Sequence, residues 1–128
     1  MESMNSLEIE FFLCDLDSFL GVFSIDTAPT TFSKYPSCYV TNNEPSYMSG
    51  QHWISVYAIS PDLVIFFDSF GFPASYYGLS FNCRTLFWPY AVQDPRDMTC
   101  GLHTIYFLTC MHYKKNLDYT IIYNKIKN

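Results

Sequence analysis

The spacing of apolar positions changes along the chain, and each change marks an element. Asn5-Ser6-Leu7-Glu8-Ile9-Glu10-Phe11-Phe12-Leu13 combines a capping residue, early carboxylates and apolar positions at helical spacing. This predicts a short amphipathic helix that ends between Cys14 and Asp17. Phe19-Leu20-Gly21-Val22-Phe23 reads as an extended piece, followed by a loop to about Gly50 that Pro29, Pro36 and Pro45, with Asn42 and Asn43, punctuate. Proline density there excludes a long helix.

The centre switches to strand chemistry. His52-Trp53-Ile54-Ser55-Val56-Tyr57-Ala58-Ile59 is rich in aromatic and β-branched residues, Ser60-Pro61-Asp62 is a turn signal, and Leu63-Val64-Ile65-Phe66-Phe67-Asp68 continues as a second strand. The two form a predicted hairpin. Leu63 to Phe67 is apolar at every position, so that strand is expected to be covered on both faces. Ser69 to Pro73 is a loop, residues 75–88 are ambiguous, and Ala91-Val92-Gln93 reads as a short strand before the loop Asp94-Pro95-Arg96-Asp97. Thr99 then stands where a cap belongs, and Cys100 to Met111 runs as a helix with apolar groups all round, the pattern of a buried central helix.

Composition narrows the class. The chain has 128 residues, most simply one domain over 1–128, with 49% hydrophobic, 20% aromatic and 15% charged residues. That excludes intrinsic disorder. The longest apolar run, Leu63 to Phe67, is far short of a membrane span, and the first residues lack a secretory pattern, so a soluble intracellular protein is expected. The net charge of −5 argues against a general nucleic-acid binder. Lys114, Lys115, Lys125 and Lys127 concentrate basic charge at the end, as a solvated terminal helix or as a contact for an acidic partner. Five cysteines at irregular spacing, with no CxxC pair, do not form a disulfide framework or a ribbon-type zinc site, and reduced thiols are expected.

Among those thiols, Cys100 falls at a predicted helix N-terminus, where backbone N–H groups and the helix dipole favour a thiolate. Taken alone, packing as a small hydrophobe is the stronger reading, and its company changes that. His52 opens a strand, from which its imidazole can act on a thiol and later protonate a leaving amine. Asp68 closes the neighbouring strand of the hairpin, a placement that suits a carboxylate orienting His52 or an ordinary strand-end turn residue. Gln93, seven residues before Cys100, carries an amide that can donate to an oxyanion together with the Cys100 N–H.

His52-Trp53, Phe67-Asp68-Ser69-Phe70-Gly71 and Gln93-x-Pro95-x-x-x-x-Cys100-Gly101, in that order, resemble the adenovirus-type (adenain-like) cysteine proteases found in adenoviruses and related large DNA transposons and viruses. Phe19-Leu20-Gly21-Val22-Phe23 with Asp26 and Pro29 resembles the segment that precedes the histidine in that family. The resemblance covers about residues 7–113. It implies an α+β, papain-like (adenain-like) fold in which a buried central helix carries the nucleophile against a mixed or antiparallel sheet. It implies Cys100 as nucleophile, His52 as general base and acid, Asp68 as the group orienting His52, and Gln93 as oxyanion donor. Trp53 and Gly101 would contribute to substrate binding.

The implied activity is endopeptidase cleavage of viral or transposon structural precursors, near glycine, in the host cell or virion. Adenoviral members are stimulated by DNA and by a viral peptide that joins a cysteine upstream of the glutamine. Cys83 stands ten residues before Gln93, either as that attachment point or as a structural thiol. The acidic charge argues against a DNA cofactor, and the short region between Phe72 and Ala91 marks a pared-down core.

Other readings compete with this one. SUMO and ubiquitin-like deconjugating proteases share the His-Trp, Asp, Gln, Cys-Gly order, and a protease-like binding module without catalysis would keep the same pattern. Chymotrypsin-like viral cysteine proteases carry their cysteine in a loop, against the helix expected here. A metal site from Cys100, His103, Cys110 and His112 fails on geometry, because on one helix Cys100 and Cys110 stand about 15 Å apart along the axis.

Overall fold

A computed structural model of the chain describes residues 4–44, 52–93 and 99–113. The Met48 to Gln51 segment, the loop Asp94 to Asp97 and the four C-terminal lysines lie outside the described residues. The described chain is α+β, with a five-stranded mixed sheet and two helices. Among the described residues, no helix is long and apolar enough to cross a membrane.

Helix α1 spans Ser6–Leu13. The Asn5 side chain accepts from the Glu8 N–H, and the Glu8 carboxylate accepts from the Asn5 N–H, a reciprocal capping box that satisfies two otherwise orphaned donors. Its inner face buries Ile9 and Leu13 completely, each worth about 1.5–3 kcal/mol of transfer free energy.

The strands are β1 (Phe19–Phe23), β2 (Ser37–Asn42), β3 (Trp53–Ser60), β4 (Leu63–Phe67) and β5 (Arg84–Phe87), ordered β1-β2-β3-β4-β5 across the sheet. β2–β3 and β3–β4 are antiparallel, and the two outer pairs are parallel. The hairpin forms as expected, with Ser55 opposite Phe67 and Ala58 opposite Val64.

Two expectations about strands are corrected, and the ambiguous stretch is resolved. The stretch read as a loop to Gly50 contains β2, whose residues Ser37 to Thr41 are all buried between β1 and β3. Proline punctuation hid it, since Pro36 immediately precedes the strand, where no ladder N–H is lost. Within the ambiguous stretch lie a 3-10 turn, Ala74–Tyr77, and β5. Ala91 to Gln93 is not a strand and makes one bridging backbone bond, from Val92 N–H to Ser69 C=O at 2.8 Å.

Helix α2 spans Cys100–Tyr113 and packs chiefly on β3. It is not enclosed all round: Phe107, Leu108 and Met111 are buried, but Leu102, Tyr106 and Tyr113 are 41%, 49% and 69% exposed. Helix α1 is the described helix packed beside it, and two tyrosines tolerate the outer face because their phenols reach water. Helices and sheet enclose one core containing Cys38, Val40, Trp53, Phe67, Cys100 and Phe107. The opposite sheet face is covered by loops and the 3-10 turn around Tyr39, Ile54, Val56 and Phe66. Leu63–Phe67 is thus covered on both faces.

Candidate active site

The turn between β3 and β4 is short, so the residue that enters β3 and the residue that leaves β4 return to the same end of the sheet. These are His52 and Asp68, and His52 Nε2 lies 2.6 Å from Asp68 Oδ1. Both are buried, Asp68 completely. The start of α2 reaches the same place: the Trp53 N–H donates to Cys100 Sγ at 3.5 Å, which sets the thiol within the electrostatic reach of the His52 imidazole. With Nε2 directed at the carboxylate, Nδ1 is the ring nitrogen that serves the sulfur. Cysteine, imidazole and carboxylate therefore form a line, from the helix N-terminus to a fully buried anion.

Electrostatics along that line favour charge separation. Burial alone would push the Cys100 thiol up. The hydrogen bond and positive charge of His52, with backbone N–H groups of Trp53 and Gly101, outweigh burial and hold the thiol below its ordinary 9.0. For His52, burial pulls down, but hydrogen bonds to Asp68 and Cys100 and the charges on both raise it to about 9. Both shifts favour the thiolate–imidazolium form of the pair, the reactive form of a nucleophilic cysteine.

The loop after β4 builds much of the surroundings. Among the described residues, Asp68 accepts four hydrogen bonds: His52 Nε2 and the Phe70 N–H (3.0 Å) on Oδ1, and the Phe72 N–H (3.2 Å) and Tyr77 hydroxyl (2.6 Å) on Oδ2. The Phe70 ring stacks on the His52 ring with centroids 4.3 Å apart and planes 10° from parallel. Gly71 has φ +85, and a Cβ there would meet the Tyr90 carbonyl carbon at 2.8 Å and the Ala91 nitrogen at 2.9 Å. Only glycine lets the two backbones approach so closely. That approach seats Gln93, which is buried, beside Ser69, whose hydroxyl donates to Gln93 Oε1. The amide is thereby oriented with its oxygen committed to Ser69. Residues 94–98, which link Gln93 to Thr99, lie outside the described residues.

Trp53 is 8% exposed and donates from Nε1 to the Met4 carbonyl at 2.8 Å. It forms one wall of a groove of about 430 Å³ with Met4, Asn5, Val22, Phe23 and Asn42. Gly101 faces the chain's own N-terminal residues: a Cβ there would lie 3.1–3.3 Å from the Met4 side chain. Cys83 is half-buried and immediately precedes β5, at one edge of the sheet. All five cysteines are unpaired thiols, and among the described residues no three His, Cys, Asp or Glu groups converge as metal ligands.

Sequence reasoning missed the individual contributions of Ser69, Phe70 and Tyr77. Ser69 and Phe70 stood in a motif without assigned roles. Tyr77 lay in the stretch of ambiguous period, where no local pattern distinguishes an inward tyrosine from an outward one. No protein-family model and no curated protein matches this chain.

Proposed function

We propose that this chain is a cysteine endopeptidase of the adenovirus type, with a papain-like arrangement of nucleophile helix and sheet. One observation carries the reading: a fully buried carboxylate lies 2.6 Å from His52, and the thiol at the start of α2 accepts from the N–H of the next residue, Trp53, at 3.5 Å, where the imidazole favours its thiolate. A structural cysteine has no need of such company.

The Cys100 thiolate attacks a peptide carbonyl carbon, and the carbonyl π electrons move to oxygen. The oxyanion is stabilised by the Cys100 N–H and the Gln93 amide. The His52 imidazolium gives its Nδ1 proton to the amide nitrogen, the C–N bond breaks, and the amine leaves with the thioester on Cys100. Neutral His52 then takes a proton from water, hydroxide adds to the thioester, and the returning carbonyl expels the thiolate beside a re-formed imidazolium. Asp68 keeps Nε2 protonated and Nδ1 aimed at the reacting atoms throughout.

Triad chemistry needs no metal or organic cofactor. The substrates are structural precursor proteins of a virus or transposon cleaved near glycine, in the host cell or virion. DNA is not a cofactor for so acidic a chain. Cys83, beside an edge strand of the described sheet, is a structural thiol first and the attachment point of an activating peptide second. Deconjugation of a ubiquitin-like modifier is the competing substrate class, and fluorogenic peptides ending in glycine compared with modifier-derived substrates separate the two.

The deciding experiment is alkylation by iodoacetamide at pH 7, mapped by mass spectrometry, alongside hydrolysis of glycine-containing peptides. Cys100 is expected to react at least about 100-fold faster than Cys38. His52→Ala should remove that advantage and Cys100→Ser should abolish hydrolysis. Equal reactivity of the two thiols would end the protease reading, whereas a reactive Cys100 without hydrolysis would favour a silent binding module.

A further inference from the structure

We propose that Tyr77 is a positioning residue of this site, holding the second oxygen of Asp68 so that the first is presented to His52. The inference deepens the protease reading and rests on it for its meaning in catalysis.

A buried carboxylate can rotate about its terminal bond, and what fixes it is the set of donors it faces. For Asp68, two of the four donors are backbone N–H groups of its own turn, Phe70 and Phe72. A third, His52 Nε2, is the group being positioned. Tyr77 is the remaining donor, brought by a separate element and placed at 2.6 Å on Oδ2, shorter than the 3.2 Å of the Phe72 N–H on the same oxygen.

The element is built to deliver that hydroxyl. The 3-10 turn starts after Pro73 and ends at Gly78, whose φ of +79 closes it with N–H bonds back to the Ala74 and Ser75 carbonyls. Within it Tyr76 points outward at 63% exposure, while the Tyr77 ring turns in among Phe66, Tyr76 and His52. Burial, then the Asp68 hydrogen bond and charge, raise the Tyr77 phenol above its ordinary value. It therefore stays protonated and donating wherever the enzyme works. The titratable groups around Asp68 are His52 from the start of β3, Tyr77 with Tyr76 from the 3-10 turn, and Cys100 from α2 through His52.

Without the hydroxyl, Oδ2 would keep, among the described residues, only the longer backbone bond. A buried carboxylate short of a donor is freer to turn, and turning takes its counter-charge away from the His52 imidazolium.

The test is Tyr77→Phe, which keeps the ring and its packing, with Tyr76→Phe as control and circular dichroism to check the fold. Histidine-labelled protein is titrated by NMR, with His52 assigned by its loss in His52→Ala, and Cys100 alkylation by iodoacetamide is followed at pH 7. Tyr77→Phe should lower the His52 midpoint by about one pH unit and slow alkylation about fivefold to tenfold, while Tyr76→Phe changes neither. A His52 midpoint that is unchanged or raised in Tyr77→Phe overturns the proposal. The two failures are separable. A wild-type Cys100 no faster than Cys38 sinks the protease reading but leaves the His52 shift as proof of positioning. A fast Cys100 with an unmoved midpoint sinks only the role of Tyr77.

Discussion

Cys38 and Cys100 belong to one core cluster, are 0% and 4% exposed, and stand respectively on β2, linked through Ser18 to the C-terminal part of α2, and at the start of α2, yet their thiols are driven in opposite directions. Cys38 stands on β2 beside Ser18, whose hydroxyl is 3.5 Å from its sulfur and 3.5 Å from His112 Nδ1 near the C-terminal end of α2. Burial dominates there and pushes the thiol up to about 11, against a small opposing effect of the serine. Cys100 suffers the same penalty and overcomes it. The difference is not the presence of a histidine but its charge and contact. His52 acts on the Cys100 thiol itself and is held protonated by a buried carboxylate, whereas among the described residues His112 is linked to Cys38 through the Ser18 hydroxyl. Helix polarity adds to this, because α2 presents N–H groups at the Cys100 end and carbonyls at the His112 end.

The largest expected effect comes from removing the charge that distinguishes the two regions. Asp68→Asn replaces an acceptor of four hydrogen bonds with a group that must aim two N–H donors at other donors. Peptide hydrolysis should fall by about 10²- to 10⁴-fold and Cys100 alkylation at pH 7 by at least about tenfold, since one pKa unit is tenfold in population. The fold should lose about 3 kcal/mol in urea denaturation. Retained alkylation in a folded Asp68→Asn protein would show that the carboxylate is dispensable for the ion pair.

A pH series sharpens the comparison without mutation. The His52 imidazolium persists up to about 9 and holds the Cys100 thiol below its ordinary value, so the iodoacetamide rate at Cys100 should rise at a lower pH than that of an ordinary thiol. Cys38 should stay unlabelled in the native protein until the pH nears 11. Parallel profiles for the two thiols below pH 9 would erase the contrast.

The smallest effect is expected at Ser18. Ser18→Ala removes two long contacts and should cost about 0.5–1 kcal/mol by urea denaturation, with Cys100 alkylation unchanged within about twofold. A large loss of Cys100 reactivity would mean that the two ends of α2 are coupled, contrary to the separation argued above.

Local rules made part of this site legible. The hairpin turn brings His52 and Asp68 to one end because two antiparallel strands with a tight connection leave no other option, and an unbroken run after Thr99 places Cys100 at a helix start. The parallel pairs were not legible in the same way, because β1–β2 and β4–β5 are joined by connections that no short-range pattern specifies. For that reason β2, at the centre of one half of the sheet, read as loop, and β5 did not read at all. Helix α2 read as enclosed because tyrosine and leucine count as apolar in a periodicity argument, while burial depends on which neighbours exist.

What the sequence by itself determined is the inventory and the local geometry: the capped α1, the central hairpin, the helix that begins at Cys100, and the residue types able to form a thiolate, an imidazolium and a carboxylate. Only the tertiary structure decided how those groups are tuned. The docking of α2 on β3 put the sulfur on His52, the loop after β4 seated Gln93 on Ser69, and the 3-10 turn brought Tyr77 to Asp68. Propensity and periodicity act over a few residues. The acidity of a buried group depends on charges and donors arriving from distant segments, and that arrangement exists only once the chain has packed.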